Sequence, residues 1–394
     1  MRILGLNAAS HNTSAALVVD GHLVAFAEEE RFNRDKYTMA FPDQALDFCV
    51  DQAGIGIGDV DLVAFAGDPW TEILHSAFGA LRLAGRPWYR RWLRNQALVT
   101  GGYKGQRQKR RIRGRHGYRG AVRTVNHHLC HASSAFHCSP YDDAAILTLD
   151  AQGDGLATAL YVGEGSTIRR VEGFGFPEHS IGHMYDVVGE WLGFRPVLDA
   201  GKVMGLASYG DPEPTLERFR RFCRVGADGD VRFDIDRMKF ETEGRASARF
   251  VELFGPPRQL GEDPTEPRFA DVAAGAQRIL EDAVLALARR ARRVTGRSRL
   301  CMAGGVALNS VANGKLCMER VFDDVWIQPA ANDAGLALGA ALQAWHDAGG
   351  ERRFVMHHAY WGPDTETEDV RRAIQIAKWP CREVDDPAAA AADL

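Results

Sequence analysis

Two histidines spaced four residues apart are the side chains best suited to chemistry in this sequence. His127 and His131 lie in the segment NHHLCHASSAF, and on a helix this spacing places both imidazoles on one face. Imidazoles on one face can share a metal ion, although no Glu follows His127 and the His-Glu-x-x-His pattern of zinc proteases is therefore absent. The alternative is a surface or helix-capping pair without a ligand.

Two carboxylates elsewhere in the chain favour the metal interpretation. Asp150 ends the apolar run ILTLD, and Asp333 stands at the predicted start of a helix in NDAGLALGAA. Two imidazoles with one or two carboxylates suit Fe(II), Mn(II) or Zn(II) and leave positions open for ligand oxygens. The sequence therefore predicts one metal site formed by His127, His131, Asp150 and Asp333.

A third histidine, His11, lies in the loop SHNTS that follows the first predicted strand. Because an imidazole exchanges protons near neutral pH, a loop histidine beside a cleft is suited to act as general base on a hydroxyl group. The alternative is a structural hydrogen bond to a neighbouring carbonyl.

The elements that must position these residues repeat along the chain. Strands are predicted over residues 2–6, 15–19 and 23–27, with an Asp20-Gly21 hairpin turn. Residues 146–171 repeat the pattern of strand, polar loop and hairpin, and placing Asn7 over Asp150 aligns the two copies without a gap. The pattern predicts an internal duplication; two unrelated meanders with similar hairpins are the alternative.

The duplication predicts an α/β protein with two lobes around a cleft. The first lobe is expected over residues 1–145, with a basic insertion at about 80–120, and the second over residues 146–355. In the second lobe, a helix over 271–294, a strand over 299–303, the Gly304-Gly305 turn, a helix from about Ala307 and a strand over 325–328 suggest a nucleoside pocket. A purely structural tight turn at Gly304-Gly305 is the alternative. The glycine-rich segment 201–210, which contains Lys202, is predicted to be a turn lining the cleft.

Composition excludes several classes of protein. The 394 residues are 45% hydrophobic, which is enough for more than one core, and no run of about 18 apolar residues predicts a membrane span. Seven cysteines without a Cys-x-x-Cys pair suggest reduced, mostly buried thiols. A cytoplasmic, soluble protein without a membrane partner is expected.

Positive charge is concentrated in one part of the chain. No Asp or Glu occurs between Ile73 and Tyr141, whereas Arg and Lys are frequent over residues 82–123. The segment could steer an anionic substrate, bind nucleic acid, or form a solvated surface or a contact to an acidic domain. Nucleic acid is not expected as a partner, because no RNA-binding module signature is present.

Seven motifs in fixed order resemble the nodulation-type and antibiotic-biosynthesis O-carbamoyltransferases. They cover nearly the whole chain and read SHNTSAALVVDG, EEERFNRDKY, NHHLCHASSAF, LTLDAQGDG, GKVMGLASYG, CMAGGVALNS and NDAGLALGAA. The N-terminal part of that family is similar to the tRNA threonylcarbamoyladenosine-forming ATPase. The resemblance implies the duplicated superfold of actin, sugar kinases and heat-shock ATPases.

The resemblance also implies a reaction. Carbamoyl phosphate and ATP would form carbamoyl-adenylate, whose carbamoyl group passes to a hydroxyl of a small-molecule acceptor such as a sugar or an antibiotic scaffold. The four metal ligands would hold iron(II), and His11 would deprotonate the acceptor. Nucleotide-binding positions carried over in this way are Gly304, Gly305 and Asn309 for adenosine, Gly153, Asp154 and Gly155 near phosphate, and Lys202. The alternatives are a small-molecule kinase on the same superfold and a non-catalytic, nucleotide-binding regulatory subunit.

Two departures from the family pattern affect these expectations. The first loop of the family usually reads Ser-His-Asp-Ala-Ser, whereas Asn12-Thr13 replaces Asp-Ala here. Residues 356–394 are expected to be a linker or the truncated start of a YrdC-like domain, and the Glu-Phe-Gly-Pro-Arg-Ala-Leu-Gly motif is absent. The chain alone is therefore expected not to form carbamoyl-adenylate, and a separate YrdC-like domain or chain is an expected partner.

Overall fold

The repeated strand pattern folds into two five-stranded mixed sheets. The computed structural model describes residues 1–8, 10–69, 71, 103–234 and 246–393. The first sheet has the order β3-β2-β1-β4-β5, and its strands are β1 Arg2–Asn7, β2 Ser14–Val19, β3 His22–Glu28, β4 Leu62–Ala66 and β5 Ala121–Val125. The second sheet has the order β8-β7-β6-β11-β12, and its strands are β6 Asp143–Gly153, β7 Leu156–Glu164, β8 Thr167–Gly175, β11 Arg299–Ala303 and β12 Asp324–Ile327.

The two sheets share direction and register as well as order. In each, the first three strands are antiparallel and the last two continue in parallel from the first. Leu6 lies opposite Ala15 in the first sheet, and Leu149 lies opposite Thr158 in the second. These pairs are equivalent when Asn7 is placed over Asp150, so the duplication and its gapless alignment are confirmed. The structure therefore has the predicted duplicated α/β architecture with two sheets.

Helices connect and cover the sheets, and a two-stranded ribbon lies outside them. The ribbon pairs β9 Cys223–Val225 with β10 Val231–Phe233. The helices are α1 Glu30–Asn33, α2 Asp43–Gln52, α3 Tyr103–Arg115, α4 His127–Phe136, α5 Ile181–Trp191, α6 Ala200–Ala207, α7 Glu213–Arg220, α8 Ala248–Phe254, α9 Pro267–Thr295, α10 Ser310–Met318, α11 Leu336–Asp347, α12 Thr367–Ala377 and α13 Pro387–Ala392.

Helices α4 and α11 each pack against the sheet of the other lobe. Helix α4 follows the first sheet but buries Ala132, Ala135 and Phe136 in a cluster with residues of the second sheet. Helix α11 follows the second sheet but packs on β1, β2 and β4 of the first. Helix α11 therefore contributes to the core of the first lobe although it follows the second sheet in the chain.

Two local predictions meet different outcomes. Helix α9 has the predicted amphipathic pattern and ends at Gly296, whose φ of 66° forms a left-handed C-cap, although the helix begins at Pro267 rather than 271. The prediction of a turn at residues 201–210 is wrong for residues 201–207, which belong to α6, and is confirmed only for residues 208–210. The glycines of α6 face open space, and burial of Val203 and Leu206 on one side stabilises the helix despite them.

Residues 362–394 form a second unit, separate from the compact unit of residues 1–361. This unit contains α12 and α13, and within it Arg371 contacts both Glu368 and Glu383. The assignment of this unit to a YrdC-like domain stays a prediction.

Surface and thiol features complete the fold. Five of the seven cysteines are buried and all are free, as predicted. Among the described residues, no helix combines the length and apolar character needed to cross a membrane.

Part of the basic segment lies outside the described residues, including positions 82–102. In the described part, Asp43 at the start of α2 contacts Arg111, Arg115 and His116 and fastens α3 to the first lobe.

Candidate functional site

The four predicted metal ligands converge at the point where the two lobes meet. His127 and His131 lie one turn apart on α4, Asp150 lies on β6, and Asp333 opens the short helical turn that precedes α11. One ligand atom from each of the four lies within 4.8 Å of the others, and all four residues are buried. The structure thus brings together three segments that are far apart in the sequence.

The four side chains of this group face one another. Asp150 Oδ1 accepts the backbone N–H of Ala151 at 2.8 Å, which leaves Oδ2 facing His127 Nε2 at 2.9 Å and His131 Nε2 at 3.4 Å. Asp333 Oδ1 lies 3.8 Å and 3.6 Å from the same two nitrogens. Because the oxygens and nitrogens point at one another, the group presents two carboxylates and two imidazoles to a single centre.

The histidines and carboxylates of this group shift one another's pKa values. Burial opposes protonation of His127, but Asp333 and Asp150 outweigh it and raise the pKa of His127 to about 9. Burial favours protonated carboxyls, yet the two histidines hold the pKa values of Asp150 and Asp333 below their usual range. The carboxylates therefore stay ionised and make the centre attractive to positive charge.

The residues present fit a divalent transition metal. Within the part of the chain that the structure describes, neither ring nitrogen of His131 has a hydrogen-bond partner, although the side chain is fully buried. A buried polar atom without a partner costs about 1–3 kcal/mol, so a ligand is the expected partner. Two nitrogen and two oxygen donors suit iron(II), manganese(II) or zinc(II) and do not distinguish among them.

The glycine loop after Asp150 supports α4. A side chain at Gly153 would collide with the imidazole ring of His127, so the glycine admits that ligand. The Asp154 carboxylate accepts hydrogen bonds from the backbone N–H groups of His127 and Asp68 and from the Asn126 amide. Gly155 adopts a φ of 79°. Contact of Gly153, Asp154 and Gly155 with phosphate stays a prediction.

A cavity of about 280 Å³ opens beside the carboxylates. Its polar lining residues include His11, Asn12, Asp150 and Asn332, and its apolar lining residues include Met204, Leu280, Val306 and Leu308. A cavity lined by apolar side chains and a few polar groups is typical of small-molecule sites.

Only some of the predicted nucleotide-binding residues line this cavity. Gly305 and Asn309 line it, whereas Gly304 approaches the backbone of Leu149 so closely that a side chain would collide. The Asn309 amide is paired with that of Gln277 through two hydrogen bonds. The exposed Lys202 makes an ion pair with Asp199 at 3.0 Å and does not line the cavity. Adenosine contacts of Gly304, Gly305 and Asn309, and a nucleotide contact of Lys202, stay predictions.

His11 lies on the cavity wall, close to the predicted metal ligands. Its Nε2 is 3.9 Å from Asp333 Oδ2, and its Nδ1 is 2.7 Å from Asn12 Oδ1. The Asn7 amide donates to the carbonyls of His11 and Asp333 and so joins the loop to the turn that carries Asp333. The position is compatible with the predicted role of His11 as a base.

Sequence reasoning missed Asp186 on α5. Its carboxylate accepts the N–H of Val197 at 2.7 Å and lines the same cavity. Burial raises the pKa of Asp186 to about 6, although the Val197 N–H and His11 act in the opposite direction. The only feature of the sequence that could have indicated Asp186 is that an acidic residue interrupts the apolar pattern of α5.

The chain is similar to known proteins over most of its length. The family model described as "Carbamoyltransferase N-terminus" matches residues 2–342. The uncharacterized protein sll1178 of Synechocystis sp. is 35% identical over 93% of this chain and 62% of its own length. Nodulation protein NolNO of Sinorhizobium fredii is 35% identical over 91% of this chain and 50% of its own length. The chain thus spans less than two thirds of either relative. Component A of (R)-2-hydroxyglutaryl-CoA dehydratase from Acidaminococcus fermentans is 17% identical, with a TM-score of 0.44 over 89% of this chain and 99% of its own.

Proposed function

The chain belongs to the family defined by the carbamoyltransferase N-terminus, and from this premise we propose that its cavity transfers a carbamoyl group to a hydroxyl of a small-molecule acceptor. Carbamoyl-adenylate, formed from carbamoyl phosphate and ATP, is the proposed donor. The acceptor is a sugar or an antibiotic scaffold. The observation that carries the proposal is that His11 and Asp150, one of the four proposed metal ligands, line one cavity of small-molecule size.

The metal group accounts for stabilisation of charge in this proposal. His127, His131, Asp150 and Asp333 would hold iron(II), with manganese(II) or zinc(II) as alternatives. Such an ion supplies Lewis-acid stabilisation of negative charge on a phosphoryl or carbamoyl oxygen. Asp150 lies both in the metal group and on the cavity wall, so it marks the side on which the donor binds.

The remaining wall residues account for proton transfer and exclusion of water. His11 Nε2 accepts the proton of the acceptor hydroxyl, whose oxygen then attacks the carbamoyl carbon while AMP leaves. Met204, Leu280, Val306 and Leu308 provide an apolar surface for the base or the ribose of the donor. Low polarity on that side limits competing hydrolysis by water.

The proposal is tested with the purified chain, iron(II), supplied carbamoyl-adenylate and a panel of polyols and aminoglycosides. Mass spectrometry should detect acceptors that have gained one carbamoyl group. His11→Gln should keep the metal but lower the rate by about 10²-fold or more, as expected for loss of a general base. His179→Gln is the matched control, because His179 contacts the Val231 carbonyl and does not line the cavity. Carbamoyl transfer at an equal rate by wild type and His11→Gln would contradict the assignment, and a phosphorylated acceptor would favour a kinase.

A further inference from the structure

We propose that Glu28 and Asn12 form a relay that holds neutral His11 in the tautomer with the proton on Nδ1, so that Nε2 is the basic nitrogen facing the cavity. Both are positioning residues that act through His11. The role in catalysis rests on the proposed function, whereas the tautomer can be measured without it.

Asn12 is fixed in place between the two groups. Its side chain is buried, and its backbone has a φ of 53°, a left-handed conformation that Asn tolerates better than most residues. Its Nδ2 lies 3.0 Å from Glu28 Oε2, and its Oδ1 lies 2.7 Å from His11 Nδ1. The amide therefore spans the gap between a carboxylate and an imidazole.

The chemistry of the two neighbours decides which way the Asn12 amide points. An ionised carboxylate only accepts hydrogen bonds, so the NH₂ group of Asn12 must face Glu28. The carbonyl oxygen then faces His11, and because that oxygen cannot donate, Nδ1 must carry a proton. The neutral ring is left with its lone pair on Nε2.

Contacts at Glu28 maintain the carboxylate end of the relay. Glu28 lies at the end of β3, and its second oxygen lies 3.6 Å from Arg31 Nη2. Burial raises the pKa of Glu28 above its usual value, and the hydrogen bond from Asn12 and the charge of Arg31 offset this rise only in part. The proposed relay requires Glu28 to be ionised.

One contact opposes the proposed tautomer. Asp333 Oδ2 lies near His11 Nε2 and would attract a proton there, but the separation of 3.9 Å is too long for a hydrogen bond. The contact with Asn12 at 2.7 Å is within hydrogen-bonding range. The shorter contact should therefore determine the proton position.

The relay gives His11 a defined task in transfer. The hydroxyl proton moves to Nε2, the hydroxyl oxygen bonds to the carbamoyl carbon, and the bond from that carbon to the AMP oxygen breaks. The imidazolium formed keeps its Nδ1–H bond to Asn12, whose amide is polarised by the negative charge of Glu28. Stabilisation of the imidazolium lowers the barrier to proton removal.

The tautomer is tested by long-range ¹H–¹⁵N spectra of the ¹⁵N-histidine-labelled full chain at alkaline pH, treated with chelator and again with Zn(II) added. His11→Gln identifies the resonances. Wild-type His11 should show a protonated Nδ1 and an unprotonated Nε2, and Asn12→Asp should keep this pattern because it keeps the oxygen acceptor. A wild-type ring protonated at Nε2 would overturn the relay, and the tautomer itself is read from the wild-type protein, with His11→Gln needed only to assign its resonances.

Two further variants test the positioning roles. Asn12→Leu and Glu28→Ala should shift His11 toward Nε2–H and lower transfer from supplied carbamoyl-adenylate by about 10-fold to 10²-fold. Glu28→Gln, which keeps an acceptor for Asn12, should retain more transfer activity than Glu28→Ala. Asn33→Leu is the control, because Asn33 contacts Thr38 and Asp35 in the neighbouring loop. An unchanged tautomer in Asn12→Leu would overturn the proposal. If the tautomers are as expected but neither the wild type nor any variant transfers a carbamoyl group, only the proposed function is contradicted.

Discussion

Of the two proposed imidazole ligands, His131 is the one whose ring nitrogens make no hydrogen bond, so its removal should weaken metal binding most directly. We expect His131→Ala to weaken binding of iron(II) and zinc(II) by at least about 10²-fold, measured by titration under anaerobic conditions and by metal analysis. His128→Gln is the matched control on the same helix, because the His128 ring bonds to Thr148 and to the Leu156 carbonyl. Equal metal content in both variants would contradict the assignment.

Asp186 should make the stability of the fold depend on pH. Its pKa is raised from 3.8 to about 6, so the folded state binds more protons than the unfolded state between these values. The free energy of unfolding therefore falls as pH rises through this range and reaches a constant cost above about pH 6. We expect Asp186→Asn to remove this cost and to be more stable above pH 7 by up to about 3 kcal/mol. Chemical denaturation of chelator-treated protein across pH 4–8 checks this, and parallel curves for both proteins would contradict it.

At the scale of residues, the sequence predicted what depends on local spacing. His127 and His131 form a pair on any helix, and the apolar run that ends at Asp150 is long enough to be recognised as a strand. The contacts of Asp154 with α4 and of Asp186 with the cavity were not predictable, because each depends on how distant segments pack. Nor did the sequence show that the ring of His127 occupies the space that a side chain at Gly153 would need.

Among the elements, α4 and α11 cross closely enough to exclude a side chain at Gly339. A Cβ at this position would collide with the carbonyl of Cys130 on α4. We expect Gly339→Ala to lower the free energy of unfolding by about 1–3 kcal/mol, because the helices must separate. Gly314→Ala in α10 should instead stabilise by about 0.5–1 kcal/mol, since its Cβ would meet open space. Thermal or urea denaturation of both variants tests the pair, and destabilisation of equal size would contradict the close crossing.

Predictions at the scale of elements depended on how strong each periodic pattern is. Helix α9 and strands β1, β2, β6 and β7 were recognised because their apolar periodicity is long or paired with a turn signal. Helix α6 was missed because two glycines in eight residues lower its helical propensity. Burial of Val203 and Leu206 in the hydrophobic core of the second lobe outweighs that loss. The exchange of α4 and α11 between lobes was not visible, since chain order gives no information on which sheet a helix covers.

For the molecule as a whole, the division at residue 361 predicts that the first unit folds without the second. A chain that ends at Trp361 keeps the contact of the Trp361 carbonyl with Phe26. We expect its thermal midpoint to change by less than about 2 °C and its metal content to be unchanged. Calorimetry and metal analysis of this chain beside the full one check the prediction. A large fall in either quantity would show that residues 362–394 contribute to the first unit.

The origin of the four ligands has a mechanical consequence for the whole protein. His127 and His131 come from the helix that leaves the first sheet, Asp150 from the second sheet, and Asp333 from the turn that returns the chain to the first. An ion held by all of them would act as a removable cross-link between the sheets. By thermodynamic reciprocity, any ligand that opens the lobes would then loosen the ion, and any ligand that closes them would tighten it. Metal affinity would thus serve as a gauge of lobe closure.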